Sequence, residues 1–270
     1  LFHRPPDTIQ WFDPALLAAE LDCAVVSDFR RADLAAGGQG APLVPFADYL
    51  LFRDATRDRV LLNLGGIANI TVLRAGGSLD EVVAFDTGPG NCILDALARE
   101  YDPAGAGYDV DGALASRGKV IEELLEECME DAYFSRPPPK STDGPAMIEL
   151  FERARRRVCA KADIDDLLAT ATELTALTIG LEIERHGPNG GEVIVSGGGS
   201  ANRWLMERLR SLNFRRVVRR TDELGVPSSA REAMAFALLG AATLDGEPSN
   251  VPSATGARRR VVLGSITPAP

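Results

Sequence analysis

Apolar positions along this chain come both as short unbroken runs and as stripes at helical spacing, the mark of strands and helices sharing a core. Pro14 to Leu21 reads as a short helix, Ala24 to Ser27 as a buried strand, and Gly37-Gly38-Gln39-Gly40-Ala41-Pro42 as a glycine-rich loop. From Arg59 the pattern changes. Val60–Leu64 and Ile67–Leu73 are apolar strands separated by Gly65-Gly66, a pair expected to supply the positive φ of a two-residue hairpin turn. Gly76-Gly77 turns the chain again, and Glu81–Phe85 makes a third strand. That strand is expected to end at Asp86-Thr87-Gly88-Pro89-Gly90-Asn91, ahead of a helix carrying Ile93, Leu94, Leu97 and Ala98.

Helical stripes follow. Ile121, Leu124, Leu125, Cys128 and Met129 share one face, as do Ile164, Leu167, Leu168, Ala171, Leu174 and Leu177, with Asp163 as N-cap and Gly187 as stop. Pro137–Pro139 and Lys140-Ser141-Thr142 between them read as loop. Glu192–Val195 is then a strand, Gly197-Gly198-Gly199-Ser200 a loop, Ala201–Leu212 a helix, Arg216–Arg219 a strand, Arg231–Leu244 an apolar helix, and the rest a polar, proline-bearing tail. The order βββ, helix, inserted helices, β, helix, β, helix is neither the alternation of a barrel nor a plain βαβ unit. It matches one half of an actin-like nucleotidase.

Composition narrows the chemistry. The 270 residues are 45% hydrophobic and 25% charged, enough apolar material for a sizeable core. A net charge of −10 disfavours nucleic acid as partner, so the runs Arg155–Arg157, Arg215-Arg216, Arg219-Arg220 and Arg258–Arg260 are read as solvated faces. With only His3 and His186, a histidine triad or a multi-imidazole zinc site has little material. Cys23, Cys92, Cys128 and Cys159 lie far apart, which suits a reducing, cytoplasmic setting, and Ala233–Leu244 is too short to span a membrane. The chain opens on Leu1 without a signal-peptide pattern and reads as begun in mid-domain.

Four segments carry candidate chemistry. In Asn63-Leu64-Gly65-Gly66-Ile67-Ala68-Asn69, bare backbone can approach a polyphosphate, although Gly-Gly hairpins are also common as plain turns. Asp86, leading through a glycine turn into a helix N-terminus, is placed to orient water or a hydroxyl beside a bound anion, or else to cap the helix. Ser196-Gly197-Gly198-Gly199-Ser200-Ala201-Asn202 offers a flat surface for adenine or ribose. It is also a near miss to the dinucleotide fingerprint, with Asp222 as an acid further on, but it follows the wrong strand; a Walker A loop is absent. Glu232 opens the apolar helix, facing a cleft or simply favoured by the helix dipole.

Eight blocks in order give the resemblance: Ser27–Arg30, Ala36–Pro45, Asn63–Thr71, Phe85–Asn91, Pro138–Thr142, Ser196–Asn202, Glu232–Phe236 and Pro252–Gly256. Over nearly its whole length the chain resembles the anhydro-N-acetylmuramic acid kinase family of the sugar-kinase, heat-shock chaperone and actin superfamily. The resemblance implies an α/β, actin-like ATPase (ribonuclease H-like) fold of two lobes. It puts the end of an incomplete first lobe at 1–58 and a second lobe at 59–270, with a helical insertion about 103–188. It also implies ATP, Mg2+, a homodimer, and a small-molecule substrate, 1,6-anhydro-N-acetylmuramic acid, opened by water and phosphorylated on O6.

Carried over by residue, Asp86 becomes the general base, assisted by Glu232. Asn63, Gly65, Gly66 and Asn69 become a phosphate loop, Gly197, Gly198, Gly199 and Asn202 the adenosine cradle, and Gln39, Gly40, Pro42 and Thr87, Gly88, Pro89, Gly90 the sugar side. Two departures stand out: nothing corresponds to the family's N-terminal phosphate-binding hairpin, and Ser141-Thr142 runs into Asp143-Gly144-Pro145 instead of glycine, a basic residue and glutamate. The alternatives are a non-catalytic nucleotide- or sugar-binding fragment and another sugar kinase of the superfamily.

Overall fold

The computed structural model describes residues 2–212 and 215–270; Leu1, where the sequence reading sets a mid-domain beginning, lies outside them. The chain opens with β1 (Phe2–Arg4), β2 (Asp7–Ile9), α1 (Pro14–Leu21), β3 (Val25–Ser27), α2 (Arg31–Ala35) and α3 (Val44–Phe52). It continues with β4 (Arg59–Leu64), β5 (Ile67–Leu73), β6 (Val83–Pro89) and α4 (Cys92–Tyr101). A helical stretch follows, α5 (Glu122–Met129), α6 (Ala132–Ser135), α7 (Gly144–Val158) and α8 (Ile164–His186). The last elements are β7 (Glu192–Ser196), α9 (Arg203–Leu212), β8 (Val217–Arg220), α10 (Arg231–Leu244), α11 (Pro252–Thr255) and β9 (Ser265–Thr267).

Local signals explain the clearest boundaries. The Asp13 carboxylate accepts from the Ala15 and Leu16 amides at 3.0 and 3.1 Å, and the left-handed Asp22 stops the same helix. Asp143 accepts from the Ala146 amide at 2.9 Å, and Pro145 occupies the first turn of α7, so the departing Asp143-Gly144-Pro145 segment is a helix start. The Arg155–Arg157 run pairs with Glu100, Glu152, Glu149 and Glu127.

The chain divides into two compact units, one of residues 1–56, 73–84 and 229–270, the other of 57–72 and 85–228. This division assigns 229–270 to the unit holding the first 56 residues, a different partition from the 1–58 and 59–270 lobes drawn from the sequence.

The second unit carries the five-stranded mixed sheet, in the order β6-β5-β4-β7-β8, except for Leu73, Val83 and Ala84 at the strand ends. β4 and β5 are joined by two residues, a link that only antiparallel neighbours allow. β7 lies parallel to β4, with Asn63 opposite Ser196, and β8 lies parallel to β7. From β4 along the chain the elements follow the order read from the sequence, three strands, a helix, a helical stretch, then β7, α9, β8 and α10. Val60, Leu61, Leu62, Leu64, Val193, Ile194 and Val195 of the central strands are sealed from solvent. A second core joins α4, α5, α7 and α8 through Leu97, Leu124, Phe151, Leu168 and Leu174, each such side chain stabilising by about 1.5–3 kcal/mol.

In the first unit β3 pairs antiparallel with β9, Val25 opposite Thr267. α10 is tied to α3 by the buried Arg231 guanidinium, which forks onto the Asp48 carboxylate with contacts of 2.6 Å to each oxygen. The expected polar tail is corrected here. Val251, Ala254, Thr255 and Leu263 are buried, because the segment packs inside the unit and supplies β9. Among the described residues no helix is long and apolar enough to cross a membrane.

Candidate active site

Two bare-backbone turns leave neighbouring parallel strands at the same end of the sheet in the second unit. Gly65-Gly66 follows β4 and Gly197–Gly199 follows β7, with Asn63 and Ser196 in register just before them. The Ser196 hydroxyl lies 3.5 Å from Asn63 Oδ1. A Cβ on Gly197 would press on Leu64 O and Asn63 Oδ1, and one on Gly199 on Asn91 Oδ1 and Leu64 Cβ. These two glycines are therefore required by packing. A third turn closes the group, since the amides of Gly90 and Cys92 donate to Gly66 O at 3.0 Å and that of Asn91 to Gly65 O at 2.9 Å.

Positive φ was expected at Gly65 and Gly66, and neither has it; it is found instead at Gly88 and Gly197. No conformational demand or close neighbour explains glycine at positions 66 and 198. Both are exposed, and a Cβ built on either would meet nothing within 4 Å. What remains at these two positions is open space over bare main chain at adjacent strand ends.

The surrounding predicted residues are placed unevenly. Asn63 and Asn69 are half-buried on β4 and β5. Asn202 Oδ1 accepts from the Leu205 amide at 3.0 Å, which commits that oxygen to the start of α9. Thr87, Gly88, Pro89 and Gly90, expected on the sugar side, are all buried. The Thr87 hydroxyl donates to Ala68 O at 3.2 Å, Gly88 abuts Phe134 and Thr178, and Gly90 O accepts from Thr175 Oγ1 at 3.1 Å. These four residues face the interior of the unit, because β6 runs on through Pro89 rather than ending at Asp86.

Asp86 is half-buried within β6, and it does not cap α4; the residue at that N-cap is Asn91. The Asp86 main chain donates to Lys140 O at 3.1 Å and accepts from the Tyr133 hydroxyl at 2.7 Å, while its Oδ2 accepts from the Thr142 amide at 3.0 Å. Burial pushes the carboxyl up to about 6, against the pull of the Thr142 hydrogen bond. Burial likewise raises the Tyr133 phenol, helped by the charges of Asp86 and Glu182, so its proton stays in place to donate. Lys140 Nζ is 3.3 Å from Glu182 Oε1 and 4.9 Å from the centroid of the Tyr133 ring. The resemblance left the Lys140–Thr142 loop without a role. The signal available in the sequence was Lys140 itself, a charge between a proline run and a helix start.

In the first unit the glycine-rich loop is organised by Asp33, which is fully buried. Asp33 Oδ2 accepts from the Gly40 amide at 2.7 Å, and Oδ1 from Asn250 Nδ2 and Thr255 Oγ1 at 2.8 Å each. Gln39 donates its amide to Thr255 O at 2.9 Å, and Pro42 is half-buried in the same loop. Arg30 Nη1 donates to Gly40 O at 2.6 Å. Burial lowers the Arg30 guanidinium's pKa and the Glu232 charge opposes the shift, which associates Glu232 with the loop. Glu232 is exposed, one residue from the anchored Arg231. Sequence reasoning missed both Asp33 and Arg30 as organisers, although Arg30 stood in a quoted block.

Gly66 and Gly198 leave room beside their main chain, with no side chain within 4 Å of where a Cβ would stand. Among the described residues no three His, Cys, Asp or Glu side chains cluster to hold a metal ion. The residues present therefore provide no all-protein cage for Mg2+, whose usual ligands include the phosphates and water.

Comparison with known proteins gives the family. The family model described as anhydro-N-acetylmuramic acid kinase matches residues 1–269. An anhydro-N-acetylmuramic acid kinase of Caldanaerobacter subterraneus is 41% identical over 98% of this chain and 68% of its own length. That of Gloeobacter violaceus is 44% identical over 99% of this chain and 72% of its own length. Among solved structures, a 2-hydroxyisocaproyl-CoA dehydratase activator from Clostridium difficile with bound ADPNP is similar at TM-score 0.44 and 14% identity, over 77% of this chain and 69% of that one. Xylulose kinase from Rhodospirillum rubrum follows at TM-score 0.42 and 17% identity, over 70% of this chain and 41% of that one. On the family match and on relatives covered over more than two thirds of their length, this chain belongs to the anhydro-N-acetylmuramic acid kinase family.

Proposed function

We propose that this chain is an ATP-dependent kinase that opens 1,6-anhydro-N-acetylmuramic acid with water and phosphorylates O6, giving N-acetylmuramic acid 6-phosphate for cell-wall recycling. Family membership supports the reaction class. The observation that carries the reading at the residue level is the pair Gly66 and Gly198, bare where the fold does not require bareness, at neighbouring strand ends. Exposed backbone amides in such turns suit the phosphates and ribose of a nucleotide.

Asp86 serves as general base. Its carboxylate, raised toward neutrality, takes a proton from the water that attacks the anomeric carbon, a contribution of about 10²–10⁴ in rate. The anomeric carbon–O6 bond breaks, and O6 bonds to the γ-phosphorus of ATP as the bond to the β–γ bridging oxygen breaks and ADP leaves. Gly65, Gly66, Asn63 and Asn69 serve the phosphates, and Gly197, Gly198, Gly199 and Asn202 the adenosine. Glu232 and the loop residues Gln39, Gly40 and Pro42 serve the sugar and its water. Mg2+ bound with the nucleotide supplies neutralisation of phosphoryl charge. The reading extends to a homodimer in the cytoplasm.

The test is turnover of anhydromuramic acid with ATP and Mg2+ in water labelled with heavy oxygen. The label must appear at C1 of the phosphorylated product. A phosphorylated product without label would make the chain another sugar kinase, and ADP binding without turnover would make it a binding fragment.

A further inference from the structure

The loop that holds Asp86 is anchored by one buried side chain. Ser141 and Asp143 are exposed, so the grip on this segment comes from Lys140, whose side chain is only 3% exposed, paired with a Glu182 side chain that is 4% exposed. The Lys140 ammonium also donates to Tyr133 O at 3.4 Å and sits over the Tyr133 and Phe85 rings. Tyr133, Phe85 and the main chain of 140–142 all lead back to Asp86. Tyr133 bonds its carbonyl, Phe85 precedes it in β6, Lys140 O takes its amide, and two residues on Thr142 bonds its carboxylate. A buried ion pair is a poor device for stability alone, since apolar residues of similar volume commonly do as well. Its use beneath this loop calls for a reason in geometry.

We propose that Lys140 and Glu182 are a positioning pair for Asp86, locking residues 140–142 so that the Thr142 amide stays on the carboxylate. The inference rests on the reading of Asp86 as the base, and neither Lys140 nor Glu182 touches substrate. The titratable groups around the network are Tyr133 on α6, Arg136 beyond it, Lys140 in the loop, and Glu182, Arg185 and His186 on α8. His186 also packs edge-on against Phe85 at 5.0 Å. The Thr142 hydrogen bond holds the Asp86 pKa down, so unlocking the loop moves that pKa up. Because the base works as a carboxylate, the acid limb of the kcat/KM profile then moves to higher pH.

The experiment compares wild type, Lys140→Met, the double variant Lys140→Met with Glu182→Leu, Lys140→Arg and Asp86→Asn. It reads folding by circular dichroism, ADP affinity, kcat, and kcat/KM against pH. The expected result for Lys140→Met is kcat lower by about 10–100-fold, with ADP affinity within about twofold of wild type. The acid limb is expected about half a pH unit or more higher, with partial recovery in Lys140→Arg. If Lys140→Met fails to fold, the double variant, which leaves no lone buried charge, gives the same readout. A folded variant with wild-type kcat and limb overturns the proposal, and so does one whose kcat falls with the limb unmoved, which is the mark of a merely structural role. Substantial activity in Asp86→Asn removes the base assignment instead, whatever the Lys140 variants do.

Discussion

The Thr142 amide donates to Asp86 Oδ2 at 3.0 Å, and it does so against burial strong enough to push that carboxyl up to about 6. A general base acts when ionised. Activity should therefore fall as pH drops through about 6, by about tenfold per unit below it. The measurement is kcat/KM across the acid range, with circular dichroism at each pH to show that the fold persists. A limb near the ordinary carboxylate value would mean that Asp86 is not the titrating group.

The same shift has a consequence for stability. Asp86 titrates near 6 when folded against a reference of 3.8, so ionising it costs the folded state free energy. That cost is full above about 6, declines as pH falls toward 3.8, and vanishes below it. Replacing Asp86 with Asn, which retains an acceptor for the Thr142 amide, should lower turnover by about 10²–10⁴. The variant should also be more stable at pH 8 by about 1–3 kcal/mol, a gain that disappears in acid. Urea unfolding at the two pH values decides it. A variant destabilised at pH 8 would contradict the burial account.

Glycines at the strand ends should separate into two classes. A Cβ on Gly90 would collide with Gly65 O, and one on Gly197 with Leu64 O, so alanine at either should cost about 2–5 kcal/mol. Gly66→Ala and Gly198→Ala meet nothing within 4 Å and should leave stability within about 0.5 kcal/mol of wild type. Because the added methyl stands where nucleotide is proposed to lie, both should weaken ADP binding by about tenfold or more. Calorimetric titration with ADP, alongside thermal melts, checks this. Unchanged affinity in both variants would move the nucleotide elsewhere.

Much of the sheet was legible because its signals are local. The β4–β5 strands were bracketed by glycine pairs, and α1 and α10 matched their predicted limits, having a capping aspartate or a continuous apolar stripe. The turn conformation at Gly65-Gly66 was misread, since what constrains it is contact with Gly90 some 25 residues on, which no local rule contains. The tail read as polar because its apolar residues are sparse, yet Val251, Ala254 and Leu263 are all buried, and β9 at its end pairs with β3 near the start of the chain. α7 carries both a cap at Asp143 and a first-turn proline at Pro145, yet the sequence reading stopped at the Pro137–Thr142 loop and assigned no element to 144–158. Lys140 and Glu182 lie 42 residues apart and Asp33 and Thr255 lie 222 apart, separations at which spacing carries no information about contact.

Asp33 offers the sharpest test of the first unit. Its carboxylate accepts from the Gly40 amide, Asn250 Nδ2 and Thr255 Oγ1, and is sealed from solvent, so Asp33→Ala strands three donors at once. A loss of about 2–4 kcal/mol is expected, less for Asp33→Asn, which keeps one acceptor oxygen. The loop it organises holds Gln39, Gly40 and Pro42, assigned to the sugar, while the residues assigned to nucleotide belong to the other unit. Asp33→Asn should accordingly raise KM for the anhydro sugar by about tenfold and leave ADP affinity unchanged. Steady-state kinetics with each substrate varied in turn makes the distinction. Equal losses for sugar and nucleotide would show that the 37–42 loop does not serve the sugar selectively.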